Sequence, residues 1–86
     1  MVNPTQKCGA QALFATNMRR IRSERKLTQE KVAEFAGLHP NYISLVERGL
    51  SNISICNVER IAVALGVTMS ELVAVVPPRG APAAHE

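Results

Sequence analysis

The stretch "GLHPNYISLVERG" (37–49) mounts hydrogen-bonding side chains on a short apolar frame. Ile43 and Val46 lie about one helical turn apart, which leaves Asn41, Tyr42 and Ser44 on the other faces of a small helix. An amide and two hydroxyls can donate and accept hydrogen bonds, so the chemistry on offer is recognition. Catalysis finds little to work with. The chain has no aspartate, no paired carboxylates, no Ser/His/Asp set and no Gly-rich phosphate loop. Of its two histidines, His39 reads as a helix cap and His85 falls in the Pro/Ala-rich end. Cys8 and Cys56 have no metal-ligand spacing. They read as two reduced thiols of a cytoplasmic protein rather than a long-range disulfide. No metal, cofactor or small-molecule ligand is expected.

A helix of this size is marginal alone, since fewer than about 12 residues seldom hold in water. Other elements must prop it, and 86 residues suffice for one small domain. Hydrophobic content of 47% with 3% aromatics suits an aliphatic helical bundle. No apolar run approaches the roughly 18–20 residues of a membrane span, and no export signal is visible at the start. Net charge is +3 and uneven: residues 1–48 hold eight Lys/Arg against four Glu, residues 49–86 two against three. The excess in "RRIRSERK" (19–26) fits a polyanion partner or an ordinary solvated helix face, and Arg19 and Arg20 read as solvated charges.

Five helices are expected. Residues 1–9 read as a loose arm, and a first helix follows from about Ala10 to Arg25 with Phe14, Met18 and Ile21 on one stripe. Thr28 caps a second helix that buries Val32, Ala33 and Ala36 and ends at Gly37. His39 and Pro40 open the third, which Gly49 closes. Ser54 opens a fourth, with Ile55, Val58, Ile61, Ala62 and Leu65 on its apolar stripe, and Gly66 stops it. The Thr-x-x-Glu capping box "TMSE" (68–71) starts a fifth, reaching Leu72 or Val75, and residues 77–86 read as a disordered tail. The domain thus spans 10–76. Its second and third helices form a helix-turn-helix, whose outer face can enter the DNA major groove, about 12 Å wide.

The segments "LTQEKVAEFAGLHPNYISLVERG" and "ISICNVERIAVALGVTMSEL" closely resemble the Xre family, the helix-turn-helix regulators of Cro and phage-repressor type. The match runs from about Phe14 to Leu72. It implies an all-α, five-helix lambda-repressor-like domain that binds double-stranded DNA as a homodimer on a palindromic operator, usually as a repressor. By position, the resemblance assigns base reading to Pro40, Asn41, Ser44 and Leu45. It assigns backbone contacts to Thr28, Gln29, Tyr42, Arg48 and Asn52, and a structural ion pair to Arg22 and Glu47. Pro40, Leu45 and Leu50 stand where many relatives carry basic or long polar residues, which should weaken salt dependence. Phe35 stands at a position usually polar, so it folds back toward the first helix or marks contact with another chain.

The segment "LVAVV" (72–76) has more apolar residues than one short helix can turn inward. Leu72 should finish the core, leaving Val73, Val75 and Val76 for a second copy, unless the segment folds onto the first helix of its own chain. Restriction–modification controllers, plasmid repressors and phage switches share this size and build. An antitoxin whose main partner is a protein is the alternative, with poor material for wrapping a toxin in the Pro/Ala-rich end. RNA binding usually needs more aromatic platforms than one Tyr and two Phe.

Overall fold

The computed structural model describes residues 8–75, and those residues form five helices and no strand. They are α1 (Gly9–Glu24), α2 (Gln29–Ala36), α3 (Pro40–Glu47), α4 (Ile55–Leu65) and α5 (Met69–Leu72). α1 packs on α3 and α5, while α2 lies against α3 and α4. Phe14, Met18 and Ile21 of α1 meet Val32 and Ala36 of α2, Ile43 and Val46 of α3, Ile61 and Leu65 of α4 and Leu72 of α5 in one core. Each helix contributes one face, and none of the four that follow α1 exceeds 11 residues. Tertiary burial rather than helix propensity therefore holds them.

Local chemistry sets the boundaries. Thr28 accepts a hydrogen bond from the Lys31 N–H and Ser54 one from the Asn57 N–H, both as side-chain N-caps. His39 caps α3 through Nδ1, which accepts from the Asn41 N–H, and Pro40 follows at the first helical position, where its missing N–H costs nothing. The α2–α3 turn needs Gly37, whose φ of +71° is a left-handed conformation that side chains resist. There the Leu38 N–H reaches the Ala33 carbonyl at 2.9 Å, closing α2 and swinging Leu38 onto the core. The α1–α2 turn makes the same left-handed move without a glycine, at Lys26 with φ +57°. Arg22 steadies it, donating from Nη1 to the Leu27 carbonyl at 2.8 Å.

Several boundaries differ from expectation. Gly9 belongs to α1 rather than to the arm, of which residues 1–7 lie outside the described residues, as do Val76 and the expected tail at 77–86. α5 ends at Leu72 and does not reach Val75. Ile55 is exposed rather than part of the apolar stripe, because the first turn of α4 overhangs the core and Val58 is the first residue to reach it. Phe35 does not fold back toward α1. It is 55% exposed, with the Lys31 ammonium 5.6 Å from its ring centroid. Cys8 and Cys56 are both free thiols on the surface.

The Thr68–Glu71 box that starts α5 is complete. The Thr68 backbone N–H donates to the Glu71 carboxylate at 2.8 Å, and the Thr68 hydroxyl does so at 3.0 Å. These bonds favour the ionised form and hold the Glu71 pKa below its ordinary 4.5. A lowered folded-state pKa adds stability that is complete above the unfolded value and is lost as pH falls through the folded one. Thermal melts of wild type and Glu71→Gln should therefore differ at neutral pH and converge as pH falls through the lowered folded-state pKa. Thr68→Ala should cost about 1 kcal/mol at neutral pH. A Glu71→Gln gap that persists in acid would remove the charge from this account.

Candidate nucleic-acid interface

Glu47 is the last residue of α3 and is 2% exposed, an unusual place for a carboxylate. Three donors surround it. Arg22, from the last turns of α1, presents Nε to Oε2 at 2.6 Å and Nη2 to Oε1 at 3.0 Å. Gln29, the first residue of α2, donates from Nε2 to Oε1 at 3.0 Å. Bidentate Arg–carboxylate pairing fixes orientation as well as charge. One buried acid thus ties α1, α2 and α3 together, and the angle between the two helices of the turn is set from behind.

The end of α3 is secured through its backbone too. Arg19 donates from Nη1 to the Glu47 carbonyl at 2.8 Å. Gln11 donates from Nε2 to the carbonyls of Gly49 and Ser51, each at 3.0 Å. Arg19 is therefore not the plain solvated charge expected of it. Its neighbour Arg20 is closer to that description, in a loose pair with Glu24 at 3.4 Å.

In front of this framework lies an open groove of about 500 Å³ between the N-terminus of α2 and the exposed side of α3. Its lining gathers Thr28, Gln29, Pro40, Asn41 and Ser44, five of the residues assigned to recognition, together with Arg22 and Glu30. A helix N-terminus carries free amide N–H groups and partial positive charge, so the α2 end suits an anion. Three of the five Arg22 N–H groups are used in the bonds above, and Arg22 also lines the groove. Glu30 works against an anion there, a charge that the motif assignments did not weigh.

The remaining assigned residues lie outside that lining. Leu45 is exposed on α3. Tyr42 is half-buried against the core, its hydroxyl accepting from Asn57 Nδ2 of α4 at 3.1 Å. Arg48 caps the C-terminus of α3, with Nε 3.4 Å from the Ser44 carbonyl. Asn52 is exposed in the loop to α4. Among the described residues, no group of His, Cys, Asp and Glu could hold a metal ion, and no helix is long and apolar enough to cross a membrane.

Residues 18–72 match the helix-turn-helix family model HTH_3. The chain belongs to the Xre-type helix-turn-helix regulators. It is 46% identical over 61 residues to the control protein C.BamHI of Bacillus amyloliquefaciens, an alignment covering 70% of this chain and 75% of that one. Its fold is similar to the restriction–modification controller C.AhdI of Aeromonas hydrophila, with a TM-score of 0.70 and 35% identity over 72% of this chain and 94% of that one. The hypothetical transcription factor NHTF from Neisseria gives a TM-score of 0.74 and 35% identity, covering 92% of this chain and 88% of its own.

In this family frame, α2 and α3 are the helix-turn-helix and the groove marks its open side. A second surface lies at the end of α5, where Leu72 is fully buried while Val73 and Val75 are 47% and 82% exposed. Ile55 and Val63 of α4 and Leu50 add further exposed apolar side chains.

The buried pair makes a quantitative test. Removing either partner leaves an uncompensated charge inside, so Arg22→Met or Glu47→Gln should each destabilise by about 3–5 kcal/mol. A double-mutant cycle from urea melts should give a coupling well above the roughly 1 kcal/mol ceiling of exposed pairs. Coupling near zero would show that the two side chains act independently.

Proposed function

We propose that this protein is a sequence-specific double-stranded DNA-binding repressor that acts as a homodimer on a palindromic operator. The observation that carries this reading is the exposed face of α3, held rigidly beside the N-terminus of α2 by the Glu47 cluster. α3 enters the major groove, and Asn41, Ser44, Pro40 and Leu45 meet base edges. Asn41 can pair with adenine through its amide, and Leu45 offers apolar contact to a thymine methyl. Thr28 and Gln29 position the phosphate backbone at the start of α2, with Arg22 supplying charge behind them. Tyr42, Arg48 and Asn52 flank the reading helix and reach backbone or sugar.

A single helix-turn-helix touches only a few base pairs, too few to find one site in a genome, so a symmetric pair is needed. The exposed Val73 and Val75 supply an apolar contact for it. A two-fold pair joined there places two α3 helices about 34 Å apart, one helical turn of B-DNA. The similarity to control proteins of restriction–modification systems favours that regulatory setting for this chain.

Selection of bound fragments from random duplex DNA, followed by footprinting, tests the whole reading. The expected product is a palindrome with half-sites about one turn apart. Asn41→Ala should lose about 1–3 kcal/mol of discrimination at one base pair per half-site and change the preferred base there. If Asn41→Ala leaves affinity and preference as they were, the reading face is misplaced.

A further inference from the structure

α5 is one turn of helix, and its two ends are secured by different means. The N-terminal end has its own capping box. The C-terminal end has no glycine: Val73 follows with φ −117° and ψ 12°, and its N–H donates to the Ser70 carbonyl at 3.2 Å. The missing partner comes from α1. Asn17 Nδ2 donates to the Leu72 carbonyl at 3.0 Å and to the Ala74 carbonyl at 2.8 Å, so both hydrogens of one carboxamide are used. Asn17 is 2% exposed and sits on the apolar stripe of α1, three residues after Phe14 and four before Ile21. A buried amide costs free energy unless its hydrogen bonds are made, and a leucine would serve the core more simply.

What the amide adds is placement. Carbonyls two residues apart are pinned to one donor, so residues 72–74 cannot slide or roll on the body of the domain. Leu72 is locked inward, and Val73 and Val75 are held outward. We infer that Asn17 is a positioning residue for self-association, fixing the chain after α5 so that Val73 and Val75 face a second copy of the protein. The inference rests on the reading that these valines form the dimer contact. An interface segment that is already ordered loses little conformational entropy when two copies meet, whereas a loose one must be ordered at that moment.

The test compares dimer dissociation constants, measured by sedimentation equilibrium on the full chain and referred to the folded fraction from circular dichroism. Asn17→Leu and Asn17→Ala both remove the two donors, and the first keeps the approximate size of the side chain. Either should raise the dissociation constant at least tenfold at unchanged helix content, and the Val73→Glu/Val75→Glu double variant should be monomeric. A role confined to monomer stability would lower the melting temperature and leave the dissociation constant of folded protein alone. Should both Asn17 variants dimerise as wild type does while the double variant is monomeric, the positioning role is overturned and the interface stands. A double variant that dimerises normally overturns the interface and the positioning role together. Having two donorless variants guards against a single one that fails to fold.

Discussion

A carboxylate at the end of an eight-residue helix would ordinarily face water, yet Glu47 is enclosed by donors from two other helices. Desolvating an ion is expensive, and a hydrophobic trio of similar volume could match or exceed its stability. The gain lies in geometry. An apolar contact between α1, α2 and α3 would tolerate small rotations, whereas a bidentate Arg22–Glu47 pair with Gln29 on one oxygen tolerates few. On the proposed reading α3 presents a fixed set of atoms to DNA, so a constraint of this kind suits that role better than its contribution to stability alone would suggest. The same residues also border the groove: Arg22 and Gln29 bond Glu47 and line the surface in front of it. Any ligand that draws on Arg22 there therefore acts on the joint between the helices.

α1 extends this logic along its length. Its polar side chains bond carbonyls at the places where the chain leaves a helix: Gln11 to Gly49 and Ser51, Asn17 to Leu72 and Ala74, Arg19 to Glu47, Arg22 to Leu27. Helix ends leave four carbonyls without internal partners, and short helices have proportionally more of them. α2 and α3 have eight residues each and α5 four, so their ends make up much of their length. Two of the carbonyls that α1 reaches, Glu47 and Leu72, are the last of their helices, and the others lie in the chain flanking the short helices. One longer helix thus fixes how the short helices are aimed. No buried side-chain polar atom among the described residues lacks a partner.

The helices themselves were largely legible in the sequence, because their signals are local. Thr28, Ser54 and Thr68 as caps, Pro40 at a first helical position, and Gly37 and Gly66 in left-handed turns each act within four residues. The long-range donors were not. Gln11, Asn17 and Arg19 bond residues 28 to 57 positions away, and nothing near them in the sequence names those partners. A weaker signal did exist: Gln11 and Asn17 fall three residues before and after Phe14, polar positions on an apolar stripe. Such a residue is either an error of the pattern or a buried amide with work to do. Ile55 failed in the opposite sense, since periodicity places it on the stripe but cannot show that the core ends one turn later.

The groove combines features that pull in different directions. The start of α2 and the charge of Arg22 favour a phosphate, while Glu30 opposes one from the same lining. On α3, Pro40, Asn41, Ser44 and Leu45 carry no charge, so on the proposed reading less of the binding energy comes from phosphate charge. A protein with fewer ionic contacts releases fewer counterions and depends more on the fit of its apolar and amide groups. For such a reader, the orientation of α3 matters more than it does for one held by charge, because hydrogen bonds and methyl contacts fall away over fractions of an ångström while Coulomb attraction does not. The rigid joint behind α3 and the sparse charge in front of it are thus two sides of one arrangement: the less the surface attracts DNA at a distance, the more its groups must already be in place.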